Sequence, residues 1–178
     1  MDQKRILVFG ASGMLGSHVA LRLLESGHQV IGTFNRVRTF KTTPIEMRKW
    51  SISDNLTRFI DDISPDLIVN CLVSKRRNGT GSVQNFFRIN SVLPRQLSRY
   101  SRLCGFPLLQ ISTNAVFHGR KHDYVESDFP VPTTYYGLSK LLGETKNSQV
   151  INIRCSIIGS NRLSESTTSG VVERISAM

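Results

Sequence analysis

Tyr136 and Lys140 stand four residues apart in TTYYGLSKLLGE, residues 133–144. On a helix this spacing puts both side chains on one face, while Tyr135 points elsewhere. A phenol of ordinary pKa, about 10, can give a proton to a forming alkoxide but is rarely a phenolate at neutral pH. A lysine charge about 4 Å away, at an effective dielectric of about 20, would favour the phenolate by on the order of 4 kcal/mol before desolvation opposes it. The pair is therefore suited to proton transfer, provided that a third polar group and a reacting partner meet it. Tyr135 reads as packing or pocket wall.

A second candidate lies near the N-terminus. GASGMLG, residues 10–16, spaces Gly10, Gly13 and Gly16 three apart between an apolar run and a helical pattern. Gly10 permits a tight turn, Gly13 lets backbone approach a pyrophosphate, and Gly16 allows close packing of helix on strand. Ser12, Met14 and Leu15 fall in the same turn, where the first helical N–H groups and the positive dipole end favour phosphates. Glycines serving only a strand-to-helix turn are the alternative. The next strand ends in TFNRVR, which offers Asn35, Arg36 and Arg38 and no acid for a ribose 2′-hydroxyl. Guanidinium forks suit a 2′-phosphate, so NADP(H) is expected over NAD(H); a solvated basic loop is the other reading.

The elements that must position these residues alternate short apolar runs with helical patterns, which predicts a parallel sheet covered by helices. Strands are expected at 4–10, 29–34, 45–50, 66–73, 107–113 and 150–158. Helices are expected at 14–27, 53–63, 83–104 and 135–147, with a kink at Pro94 in the third. A glycine turn after the first strand and right-handed crossovers imply an α/β, Rossmann-type three-layer sandwich with strand order 3-2-1-4-5-6. The site then lies along the strand C-termini, where Cys71, Leu72 and Val73 fall close to the dinucleotide.

With 178 residues, 39% hydrophobic and 20% charged, the chain has the make-up of one globular domain and no apolar run of membrane-spanning length. Three cysteines, Cys71, Cys104 and Cys155, are an odd number and read as free thiols in a reducing cytoplasm. The net charge of +10 raises the question of nucleic acid, but the basic residues are scattered, with the densest cluster in SKRRNG, 74–79. An anionic small ligand uses the same charge, and no nucleic-acid partner is expected. His118 and His122 stand four apart in a glycine-containing loop, which does not make a metal pair, and no metal site is expected.

Taken together, GASGMLG, VIGTF, PDLIVNC, the Asn90 of RIN, ISTNAVFHG and YVESDFPVPTTYYGLSKLLGE resemble the extended short-chain dehydrogenase/reductases. Within them the chain looks most like the dTDP-4-dehydrorhamnose reductase branch of nucleotide-sugar enzymes, over the stretch to about residue 160. The resemblance implies that Tyr136 and Lys140 form the Y-x-x-x-K pair with Thr113 as third member. Lys140 would also bind the nicotinamide ribose, Thr113 would hydrogen-bond the substrate carbonyl, and Asn90 would fall close to the cofactor. Ser112 is a helper or a strand-end hydroxyl capping backbone. Asn114 stands where this branch commonly has an acid, and Ser51 where an acid often meets adenine.

The implied activity is an NADP-dependent reduction of a 4-keto nucleotide sugar. Members of the family continue well beyond residue 178, so residues 1–160 are expected to form the NAD(P)-binding Rossmann domain and 161–178 the start of a truncated substrate-binding region. A non-catalytic NAD(P)-binding module is the alternative, and a nucleotide-sugar epimerase or dehydratase shares the scaffold. Related enzymes often dimerise through the helix pair at 83–104 and 135–147, so a homodimer is an expectation as well.

Overall fold

The computed structural model of the chain describes residues 2–35, 44–74, 83–157 and 162. Six strands form one sheet: β1 (Arg5–Phe9), β2 (Gln29–Phe34), β3 (Glu46–Lys49), β4 (Leu67–Asn70), β5 (Leu108–Thr113) and β6 (Val150–Cys155). Their order is β3-β2-β1-β4-β5-β6 and every pairing is parallel, as the alternation of elements predicts.

Helices pack on both faces of the sheet, which separates two cores. The run RILVF in β1 is apolar on both sides because both sides are covered. Ile6 and Val8 face α1 (Met14–Glu25), with Ala20, Val30 and Val69 around them. Leu7 and Phe9 face the other way, toward α2 (Leu56–Ile63) and α4 (Leu93–Cys104), and pack with Ile60, Ile63, Leu93 and Leu97. Trp50 closes this second core edge-on against Phe9, ring centres 5.0 Å apart. Asn55 sets the start of α2 by accepting the Arg58 N–H at 3.0 Å, two residues later than the sequence pattern suggests, and Ser64, at φ 49°, ends it before Pro65.

The long helix expected over 83–104 is built in three parts. α3 (Val83–Phe87) leads into a π-helical segment (Arg88–Val92), and α4 follows. The irregularity therefore precedes Pro94, which sits in the first turn of α4, where its missing N–H costs little. The cause is still the proline. In an unbroken α-helix the N–H of residue 94 would serve the carbonyl of Asn90, and proline has none; the widened turn absorbs that mismatch.

α5 (Tyr135–Leu141) is capped by Thr134, whose hydroxyl accepts the Gly137 N–H at 3.0 Å. It ends six residues short of the helix expected from sequence at 135–147. The residues beyond it bond to neighbouring elements instead: Thr145 Oγ1 to Ser98 Oγ at 2.8 Å, Asn147 Nδ2 to the same oxygen at 2.7 Å, and Asn152 Nδ2 to the Thr145 carbonyl at 2.8 Å. Gly143 makes this approach feasible. A Cβ there would lie 2.2 Å from the Asn90 carbonyl oxygen. Gly143→Ala should therefore push this segment off the π-helical turn and destabilise the fold by about 1–3 kcal/mol in urea unfolding. An unchanged midpoint would mean that the contact yields freely.

Candidate functional site

The turn between β1 and α1 is shaped by what it cannot hold. Gly10 adopts φ 78°, and a Cβ on Gly16 would stand 2.1 Å from the Gly10 carbonyl oxygen. The turn is pinned from β2, where Thr33 Oγ1 accepts the Gly10 N–H at 2.9 Å and the Thr33 carbonyl accepts the Ser12 N–H at 3.3 Å. Gly13 caps α1 with no side-chain hydrogen bond and no acid occupies the first turn. The Met14, Leu15 and Gly16 N–H groups, which have no intrahelical acceptor at a helix start, point out beside a residue that lacks a side chain. A phosphate fits such a cradle.

A cleft of about 410 Å³ opens in front of this turn, along the C-terminal ends of β4, β5 and β6. Gly13, Met14, Leu15 and Gly16 form one wall, and Cys71, Leu72 and Val73 another. Thr113, Tyr136 and Lys140 line it from β5 and α5. The four-residue spacing places Tyr136 half-buried in the cleft, whereas Tyr135 is 77% exposed and faces away. Thr113 begins a single 3-10 turn (Asn114–Val116) by accepting the Ala115 N–H at 3.2 Å, and its hydroxyl also interacts with the Tyr136 phenol.

Lys140 is only 4% exposed. Burial lowers its pKa from 10.5 to about 8, although Cys71, Cys155 and Glu144 oppose the shift. Tyr136 moves the other way: burial raises its pKa, the Thr113 hydroxyl partly offsets that, and Cys155 adds to the rise. The lowering of the phenol by Lys140 expected from spacing has no part in this shift, which desolvation dominates and residue spacing does not reveal. Tyr136 is held as a protonated phenol at neutral pH.

Ser112 and Asn114 also line the cleft, whereas Gly10, Ser12, Asn35 and Asn90 lie outside its lining. Gly10 and Ser12 shape the turn beneath it, and Asn35 is exposed just past the end of β2. Arg36 and Arg38 fall outside the described residues. Asn90 is buried behind the cleft, where Oδ1 accepts the Ser74 N–H at 2.9 Å and Nδ2 donates to the Ser74 carbonyl at 2.9 Å and to Ser139 Oγ at 3.0 Å. It ties the segment after β4 to α5. Sequence reasoning passed over Ile111, Cys155, Ser156 and Ile157, which also line the cleft. The rule that ligands meet a parallel sheet at its strand C-termini would have found the last three at the end of β6. His118 is engaged locally, its Nδ1 accepting the Arg120 N–H at 2.9 Å, and no group of three or more metal-ligating side chains occurs among the described residues.

The buried lysine has a measurable signature. Below about pH 8 folded and unfolded chains both carry the Lys140 charge, and the folded one bears the full burial penalty. Between about 8 and 10.5 the folded chain has released the proton while the unfolded chain keeps it, so stability rises with pH. Against Lys140→Met, the parent should gain on the order of 3 kcal/mol across that interval in urea denaturation. A stability difference that stays constant over the interval would refute the burial of a chargeable lysine.

Comparison with known proteins agrees with this geometry. The RmlD substrate binding domain family matches residues 4–164. The probable low-salt glycan biosynthesis reductase Agl14 of Haloferax volcanii is 31% identical over 139 residues, covering 77% of this chain and 46% of that protein. Methionine adenosyltransferase 2 subunit beta of Rattus norvegicus is 30% identical over 146 residues, covering 81% and 42%. The crystal structure of a hypothetical dTDP-4-dehydrorhamnose reductase from Sulfolobus tokodaii superposes with a TM-score of 0.74 at 32% identity, over 88% of this chain and 58% of that one. Two other structures share the fold at lower identity. The Bacillus anthracis dTDP-4-dehydrorhamnose reductase in complex with NADP is 22% identical, with a TM-score of 0.68 over 86% of this chain and 54% of that one. Bordetella bronchiseptica WbmG in complex with NAD and UDP is 20% identical, with a TM-score of 0.74 over 86% and 53%. The chain spans less than half the length of the curated relatives Agl14 and the adenosyltransferase subunit. By sequence, by strand order and by the residues gathered in its cleft, the chain belongs to the RmlD substrate binding domain family.

Proposed function

We propose that the chain is the dinucleotide-binding half of an NADP-dependent reductase acting on a 4-keto nucleotide sugar. The observation that carries this reading is the convergence of Thr113, Tyr136 and Lys140 on the same cleft as the uncapped N-terminus of α1. Residues 1–160 form the Rossmann domain in this reading, and 161–178 open the substrate-binding region. Its location in the cytoplasm rests on the free-thiol composition.

Gly13, Met14, Leu15 and Gly16 would hold the pyrophosphate, and Lys140 the nicotinamide ribose. When bound, the dinucleotide supplies a hydride to the carbonyl carbon. Thr113 holds the carbonyl oxygen by a hydrogen bond, and Tyr136, protonated at neutral pH, gives its phenolic proton to that oxygen as the C–O double bond becomes single. Charge on Lys140 then stabilises the phenolate left behind. The 2′-phosphate would meet Arg36 and Arg38.

A second reading, a cofactor-binding subunit without turnover, is favoured by one observation: several relatives of about 30% identity carry the name of a subunit of methionine adenosyltransferase. A homodimer through the α3–α4 and α5 region is part of the proposal, supported by the exposure of Val92, Leu103, Leu138 and Leu142 there. Sedimentation at micromolar concentration tests it, with a monomer counting against it.

Replacement of both Arg36 and Arg38 by Ala should abolish a preference for NADPH over NADH in a binding titration. Equal binding of the two cofactors by the parent would defeat the NADP assignment. Tyr136→Phe should leave folding and NADPH binding near parent values and, in a form of the protein with a complete substrate-binding region, lower the rate of NADPH oxidation with a 4-keto nucleotide sugar by about 10²–10⁴-fold. Tyr135→Phe should cost far less. Tight NADPH binding by the parent with no oxidation would favour the subunit reading.

A further inference from the structure

Glu144 takes no part in the steps above, yet several elements meet on its carboxylate. Ser112 Oγ donates to Oε1 at 2.6 Å. Arg154 grips both oxygens, through Nε at 3.0 and 3.2 Å and through Nη2 at 2.7 Å. The two side chains are only 11% and 23% exposed, so this bidentate pair is screened far less than a surface ion pair and fixes orientation as well as distance. On its other side the Arg154 guanidinium lies over the Phe117 ring, 5.0 Å from its centre. Every anchor adjoins part of the cleft. Ser112 precedes Thr113, and Arg154 precedes Cys155, its register being opposite Ser112. Phe117 closes the turn that Thr113 opens, and Glu144 follows Lys140 by one turn.

We propose, taking the reductase reading above as the reaction, that Glu144 is a positioning residue. Held by Arg154, it clamps the end of β5 through the Ser112 hydroxyl and so fixes Thr113 against the face of α5 that carries Tyr136 and Lys140. The clamp is also electrostatic. The groups that face Lys140 are Cys71 beyond β4, Cys155 at the end of β6 and Glu144, with Tyr136 one turn away on α5. Burial pushes the Cys71 thiol up to about 12 and raises Cys155 as well, so both are neutral near pH 7. Glu144 is the carboxyl group among them, and it acts on Lys140 in the direction opposite to burial. An ion pair that merely braced the fold would leave the Lys140 titration untouched.

The test combines a titration with a rate. Carbon-13 NMR of reductively methylated lysines, with the Lys140 signal assigned through Lys140→Arg, gives its midpoint; NADPH oxidation with a 4-keto nucleotide sugar gives kcat and KM. Glu144→Gln should lower the Lys140 midpoint and reduce kcat by about 10–100-fold. Glu144→Asp keeps the charge but shortens the arm, so its midpoint should stay near the parent's while kcat falls. Ser112→Ala should lower kcat with the midpoint and KM unchanged, and it decides the positioning claim if Glu144→Gln does not fold. A parent-like midpoint in Glu144→Gln, or a parent-like kcat in Ser112→Ala, overturns the proposal. If the parent binds NADPH without oxidising it, the reductase reading fails, while the Lys140 midpoint in Glu144→Gln still decides whether Glu144 acts on the cleft.

Discussion

Strands that all run in one direction bring their carboxyl ends to a single edge of the sheet, and the chemistry of this chain depends on that constraint. Each parallel neighbour must be reached by a crossover over a face, so helices cover the sheet and the central β1 is apolar on both sides. Four chain segments then emerge together: the turn after β1, the segment after β4 and the ends of β5 and β6. They bring Gly13, Leu72, Thr113 and Cys155 to one cleft, although these residues span most of the described sequence. No local interaction could assemble them. Sheet topology does.

Polar groups buried behind that edge are satisfied in pairs. Asn70 Nδ2 donates to Gln110 Oε1 at 2.8 Å across β4 and β5, while Asn70 Oδ1 accepts the Leu72 N–H at 3.1 Å. Asn90 bonds Ser74 and Ser139 together, and Ser91 Oγ donates to the Ser139 carbonyl at 2.7 Å. A buried polar atom left unpaired costs about 1–3 kcal/mol, so these bonds hold the segment after β4 and α5 at fixed positions rather than adding much net stability. Lys140 differs from them in kind, a chargeable group kept almost dry against the preference of its ammonium for water. Groups perturbed in this way, inside a cleft, concentrate at sites that do chemistry.

Much of this was legible in the sequence because it rests on short-range patterns. Apolar runs marked five of the six strands, with β3 the weakly patterned one, the glycine spacing marked the turn after β1, and the four-residue interval separated Tyr136 from Tyr135. What was not legible depends on contacts distant in the chain. The end of α5 at Leu141 is decided by partners on α4 and β6, which a helix-compatible sequence such as GETKN does not announce. The enclosure of Asn90 between Ser74 and Ser139 is likewise set by packing. The dominance of burial at Tyr136 also belongs to the folded environment.

The π-helical turn at Arg88–Val92 fixes the phase of everything that follows it. Wound in ordinary α geometry, the same residues would each advance the chain by about 100° around the axis, more than the step of the wider π turn. Leu93 and Leu97, now directed into the core against Phe9 and Ile60, would rotate out of it, and Ser98 would lose its place beside Thr145 and Asn147. The surplus residue therefore acts as a phase setter. It lets one continuous helix show Asn90 to the cleft-bearing elements and its leucines to the core, two directions that a uniform 3.6-residue period could not serve at this spacing.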